Sequence, residues 1–131
     1  MNVLITLPKH LIEKIISGEK KYEMRKYLPK YMKIGKDGFF VVEKGTDKIR
    51  CWCRVEYFFK MYGCHCEGWF ASRLCVSKEY IRKYSKGKQV YLWRIGKVVV
   101  FDSVKRNSLG IHINPQNFAY CFLSTLDDYI S

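Results

Sequence analysis

The chain has 131 residues, 48% of them apolar and 16% aromatic, and its 24 Lys and Arg against 12 Asp and Glu leave a formal charge of +12. That is enough apolar material for one compact domain over residues 1–131, and it argues against intrinsic disorder. The charge points to polyanions: nucleic acid first, then an anionic membrane surface, then an acidic protein, set against the plainer reading of a solvated lysine-rich surface. No run reaches the ~18 apolar residues that cross a bilayer, and no basic stretch leads into an apolar export core, so a cytoplasmic location with no membrane partner is expected.

The first stretch, Met1–Leu7, alternates weakly and reads as a short strand. Pro8 suits the start of a helix. Leu11, Ile12, Ile15 and Ile16 follow at helical spacing, with Lys9, His10, Glu13, Lys14 and Ser17 opposite them. Gly18 stops this helix. The period then changes to two: Lys21, Glu23 and Arg25 share one face and Tyr22 and Met24 the other, which predicts a strand with a charged and an apolar side. Tyr27 to Asp37 holds Pro29, Gly35 and several lysines and reads as a basic loop.

Gly38–Lys44 and Lys48–Lys60 are strand-like, with a turn at Gly45–Thr46–Asp47. Within the second, Cys51 and Cys53 share a face with Val55, Tyr57 and Phe59, which predicts a core stripe. Trp52 and Phe58 fall on the other face with Arg54 and Glu56, and are expected to be covered by the Trp69–Phe70 segment rather than left open for stacking. Ser77 is a candidate N-cap for a helix through Tyr84 that ends near Gly87. Tyr80, Ile81 and Tyr84 can form its buried stripe. Lys78, Arg82, Lys83 and Lys86 then form either a solvated face or a second phosphate contact. Gln89–Ile95 and Lys97–Asp102 read as two runs separated by Gly96, the second buried on both faces through Val98–Val100. Asn114–Pro115 marks a turn before a last strand, Asn117–Leu123. Six or seven strands with two or three short helices predict an α+β fold: a small, mostly antiparallel β-barrel.

The six cysteines are expected to be free thiols in a reducing compartment. Cys51-Trp52-Cys53 and Cys64-His65-Cys66 lack the spacing of structural zinc pairs, and Cys75 and Cys121 read as core, so no metal and no cofactor are implied. His10, His65 and His112 have no partner in the sequence that would make a nucleophilic dyad, and default to the surface or the edge of the core.

The run Gly18-Glu19-Lys20-Lys21-Tyr22-Glu23-Met24-Arg25 fits G-x-K-x-x-E-x-R, placed after a strand and a helix and opening a strand of its own. In that setting it resembles the signature of the ASCH domain family, a branch of the PUA-like barrels. Gln89-Val90-Tyr91-Leu92-Trp93-Arg94-Ile95 resembles the family's aromatic strand. Pro115-Gln116-Asn117-Phe118-Ala119-Tyr120 is similar to a proline-glutamine turn found in small phage and bacterial members. The resemblance implies a barrel with a cleft beside the motif that takes RNA or a nucleotide. Some relatives are hydrolases, acting on acetylated cytidine or as ribonucleases. The amidohydrolases share the lysine at Lys20 but carry threonine where this chain has Glu23, and neither Glu67 nor Glu79 is singled out as their further glutamate.

Read from the residues alone, Lys20, Lys21, Glu23 and Arg25 are either an ordinary solvated ion pair on a strand face or the cationic centre of a binding site. With the resemblance, RNA or nucleotide binding is expected through Lys20, Lys21, Glu23, Arg25 and Lys26. Tyr27 and Tyr31 would stack on bases, and Gln116 and Asn117 would stand at the rim. The alternatives are a hydrolase with Lys20 and Glu23 as acid–base residues, and a phage-type adaptor whose basic face meets an acidic protein.

Overall fold

The structure, a computed structural model, describes residues 1–105 and 118–120. The expectations for His112, Pro115, Gln116, Asn117 and Cys121 fall outside the described residues. In chain order the elements are β1 (Val3–Leu7), α1 (Lys9–Ile16), β2 (Tyr22–Arg25), β3 (Gly38–Glu43), β4 (Lys48–Tyr62), a 3-10 turn (Gly63–Cys66), α2 (Trp69–Leu74), α3 (Lys78–Ser85), β5 (Gln89–Lys105) and β6 (Ala119–Tyr120). No helix among the described residues is long and apolar enough to cross a membrane.

The strands form one sheet in the order β2-β5-β4-β3-β1-β6. β1 runs parallel to β3, and the other neighbours are antiparallel. The register of β4 shifts between Ile49 and Cys51, between Cys53 and Val55, and between Val55 and Phe58. Irregularities of this kind bend a strand and raise its twist, and here the sheet curls into a half-barrel. The curl brings Arg25 on the edge strand β2 to within 3.4 Å of the Thr6 carbonyl on β1.

The main core lies inside this curl. Val3, Ile5, Phe39, Val41, Cys51, Cys53, Val55 and Trp93 face Leu11, Ile12 and Ile15 of α1. Each fully buried aliphatic side chain contributes about 1.5–3 kcal/mol. Pro8 keeps extended backbone as the N-cap of α1, and Gly18, at φ +85°, turns the chain out of it. That left-handed value is why a glycine stands there. A second cluster, Tyr22, Met24, Cys66, Leu74, Ile81, Val90 and Leu92, seats α2 and α3 against the sheet. Ser77 caps α3 by accepting from the Tyr80 N–H at 3.1 Å.

Several sequence expectations change. Gln89–Ile95 and Lys97–Asp102 are one continuous strand. Gly96 is no turn: a Cβ there would meet Glu56 Oε1 at 1.8 Å, so the glycine makes room for the Glu56 side chain across the strand. Val98–Val100 is not buried on both faces, since Val100 is 53% exposed. The Cys51 stripe stops at Val55, and Tyr57 and Phe59 are exposed beyond the bulges. Trp52 is covered as expected, but by Leu4, Phe40, Val42 and Ile49 rather than by Trp69–Phe70, and its Nε1–H donates to Asn2 Oδ1 at 3.1 Å. Phe58 is exposed.

Gly38 opens β3 where it lies tightly against β4. A Cβ there would sit 1.8 Å from the Cys53 carbonyl oxygen and 2.8 Å from Arg54 Cα. Both atoms are backbone, so the neighbour cannot swing aside. Gly38→Ala is expected to destabilise by at least the upper end of the roughly 1–3 kcal/mol that overpacking costs. A urea midpoint unchanged from that of the parent would contradict this.

Candidate functional site

The motif runs from the end of α1 into β2. The Lys20 N–H donates to the Lys14 carbonyl at 2.9 Å, and the Lys21 N–H donates to the Arg73 carbonyl at 2.7 Å. These bonds fix the short link between helix and strand, and they turn the Lys20 side chain inward. β2 pairs with β5 in the register Glu23↔Trp93 and Arg25↔Tyr91. Alternation along β2 then sends Glu23 and Arg25 to the side opposite Tyr22.

Three charges meet there. Lys20 is 2% exposed, Glu23 4% and Arg25 8%. Lys20 Nζ donates to the Leu74 carbonyl at 2.7 Å and lies 3.3 Å from Glu23 Oε1. Arg25 Nε and Nη2 donate to Glu23 Oε2 at 2.9 and 2.7 Å. The Met24 N–H lies 3.3 Å from Glu23 Oε1. Both carboxylate oxygens are therefore engaged. Burial pushes the Glu23 carboxyl up, but the charges of Arg25 and then Lys20 outweigh it and hold the carboxyl below its ordinary value. The reading as a solvated strand face is overturned for Lys20, Glu23 and Arg25, because the curl of the sheet encloses them, and it holds for Lys21, which is exposed.

The cluster floors a cleft of about 710 Å³. Thr6, Leu7 and Pro8 line one side, and Leu74, Cys75, Val76, Ser77, Tyr80 and Tyr84 line the other, with His10 and Lys44 also in the lining. Thr6 Oγ1 is buried without a hydrogen-bond partner among the described residues. Tyr80 and Tyr84, one helical turn apart on α3, stack with ring centroids 6.0 Å apart and planes 12° apart. Burial pushes the Tyr84 phenol up to about 12 and moves the Tyr80 phenol in the same direction, so both rings are neutral near pH 7. Among the described lining residues Glu23 is the only carboxylate, against the cations Lys20, Arg25 and Lys44. The cleft is cationic at its floor and aromatic on one wall.

No family model matches the chain, and no curated protein sequence matches it at a significant level. Solved structures do match. The ASCH protein of Zymomonas mobilis superposes with a TM-score of 0.84 at 12% identity, over 98% of this chain and 93% of that one. Two single-substitution variants of the same protein superpose at 0.83 and 12% identity, each over 98% of this chain and over 94% and 96% of theirs. The chain has the ASCH-domain fold.

On that fold the motif's Lys20, Glu23 and Arg25 come together at the cleft floor, while the other expected residues stand apart from it. Lys21 is exposed outside the lining. Lys26 Nζ lies 5.0 Å above the Tyr84 ring and does not line the cleft. Tyr27 and Tyr31 are exposed on the basic loop, Tyr31 packing against Tyr120 at 5.5 Å, and neither lines the cleft. Neither Glu67 nor Glu79 lines it either, and Glu67 is paired with Arg82 at 2.7 Å.

Tyr80 and Tyr84 are lining residues that sequence reasoning did not place at the cleft. Of the stripe Tyr80, Ile81 and Tyr84 expected to be buried on α3, Ile81 is buried and Tyr84 packs partly buried against the second core cluster, but Tyr84 also lines the cleft and Tyr80 lines it half-exposed. The available signal was their hydroxyls: an i, i+4 tyrosine pair on a cationic helix suits a polar wall as well as a core. Burial, with Cys51 beside it, pushes the Cys53 thiol well up, in keeping with packing. Cys66 is buried and Cys64 exposed, so that pair does not converge. Among the described residues no three His, Cys, Asp or Glu are grouped to hold a metal.

Proposed function

We propose that the cleft binds a nucleotide, free or as one unit of an RNA strand. Its composition carries the reading: a floor with two buried cations, and a wall with a half-exposed tyrosine ring. Phosphate suits the floor, where Lys20 has a third N–H beyond those given to Leu74 and Glu23, and Arg25, whose fork is bound to Glu23, adds its positive charge. A base suits Tyr80, whose stacked partner Tyr84 holds it in place. The ASCH fold supports RNA binding as a general expectation, and the net charge supports it further.

The contacts of Lys20 are those of an ammonium ion, donating to a carbonyl and a carboxylate. Glu23 is held between two cations. Both features favour electrostatic binding over acid–base turnover.

Calorimetric titration with nucleoside monophosphates tests the reading. Binding is expected, and Tyr80→Ala is expected to weaken it about tenfold, the worth of one base–ring stack. Tyr80 is 49% exposed, so the variant should keep the parent's circular dichroism spectrum. Absence of nucleotide binding, or indifference to Tyr80→Ala, counts against the proposal. Product from acetylated cytidine, lost in Lys20→Ala, would replace it with the hydrolytic reading.

A further inference from the structure

The opposite side of β2 carries a feature that the cleft does not use. Tyr57, Phe59 and Trp69 are all exposed, Trp69 the most at 57%. They are one connected group of rings. Tyr57 meets Phe59 edge-on at 5.4 Å, and Phe59 meets Phe70 at 5.9 Å. Phe70 meets Trp69 at 4.8 Å, and Tyr22 lies beneath Phe59 and Trp69 at 6.4 and 6.2 Å. Large rings placed at the surface in such a group usually have a partner.

The charges around the rings say which partner. The Arg73 guanidinium lies 3.6 Å over the Trp69 ring, and that of Arg94 lies 5.5 Å over Tyr22. Among the described residues neither is in an ion pair with a carboxylate. Arg73 donates to the Trp69 carbonyl, and Arg94 donates to the carbonyls of Lys21 and Ile95. The nearby carboxylates are taken elsewhere, Glu56 by Arg54 at 2.6 Å and Glu67 by Arg82. Rings interleaved with flat guanidinium groups form the surface on which unpaired bases stack while cations neutralise the phosphates.

We propose that Tyr57, Phe59 and Trp69, with Arg73 and Arg94, form a second site that stacks unpaired bases of a single-stranded RNA. The proposal deepens the nucleotide reading of the cleft and rests on it for the identity of the ligand. α2 joins the two places. Its last residue, Leu74, lines the cleft and accepts from Lys20, and its first, Trp69, stands on the platform. Six helical residues span roughly 9 Å, so a short strand can reach from one site to the other. The substrate class is then an unpaired strand rather than a lone nucleotide.

The test compares a uridine decamer with uridine monophosphate on the full chain. Of the three tryptophans, Trp52 and Trp93 are buried, so emission quenched by the decamer reports on Trp69. Trp69→Ala combined with Phe59→Ala is expected to weaken decamer binding tenfold or more and leave monophosphate binding in the cleft unchanged. Single Arg73→Ala, which removes no ring, is expected to weaken decamer binding and lower its salt dependence. If the monophosphate fails to bind while the decamer still depends on Trp69, the cleft reading falls and the platform stands. Decamer affinity unaffected by the double variant, with the parent's melting curve retained, overturns the platform. Trp69-dependent binding to phosphatidylserine vesicles without decamer binding overturns it in favour of a membrane.

Discussion

Glu23→Gln is expected to destabilise the fold by about 3–5 kcal/mol, the usual cost of removing one partner from a buried ion cluster. The geometry is isosteric, so packing survives. What is lost is the charge that compensates Lys20 and Arg25, both nearly sealed from water. An exposed pair would cost less than about 1 kcal/mol, so the size of the effect separates a buried network from a surface one. For a chain of this length the melting temperature should fall by roughly 10–20 °C. The pH dependence supplies the sign. The Glu23 carboxyl is held below its ordinary value in the fold. The unfolded state therefore takes up protons first, and the contribution of Glu23 is complete above its unfolded pKa and disappears as pH falls through the folded one. The parent and Glu23→Gln should accordingly differ most at neutral pH and converge in acid. Urea unfolding of both proteins at pH 7 and at acidic pH checks this, and equal midpoints at pH 7 would contradict it. Arg25→Ala is expected to destabilise too, because it strips Glu23 of its closest cation. That makes Tyr80 the cleaner position for probing ligand binding.

How much of this was legible beforehand differs by residue. The helix and its stop were plain, because Leu11, Ile12 and Ile15 repeat at helical spacing and Gly18 takes a left-handed conformation. The alternation in Tyr22–Arg25 gave the right strand. It could not show that the charged side was enclosed, since enclosure comes from a curl set by bulges in β4, more than 20 residues further along the chain. A two-residue period describes one strand and is silent on what lies across from it. Gly96 misled for a similar reason: a glycine inside a β-rich run signals either a turn or a close approach, and only the position of Glu56 decides. The cleft wall was hidden because Tyr80 and Tyr84 fit an apolar stripe by spacing alone. Two of the platform rings, Tyr57 and Phe59, were read as core for the same reason, since they continue the Cys51 stripe until the register shift at Val55 changes their surroundings.

Single-stranded RNA binding should fall steeply as salt rises, and the steepness measures how much of the surface the strand uses. Each phosphate neutralised on a single strand contributes a slope of about −0.7 in log K against log salt. A nucleotide confined to the cleft engages one phosphate group against Lys20 and Arg25, so its affinity should change only a few-fold between 50 and 200 mM salt. A decamer that leaves the cleft along α2 meets Arg73, Arg94 and the exposed Lys21. With about four phosphates neutralised, the slope approaches −3 and the affinity drops about 50-fold over the same range. The difference between the two ligands is the informative quantity, because the net charge of +12 acts on both. A decamer slope no steeper than that of the monophosphate would mean that the strand contacts nothing beyond the cleft. A steep slope that survives Arg73→Ala and Arg94→Ala together would place the additional phosphates elsewhere, with the cationic helix α3 the next surface to test. A steep slope that those two substitutions flatten, with quenching of Trp69 lost in parallel, assigns the extra contacts to the ring-and-guanidinium face of β2.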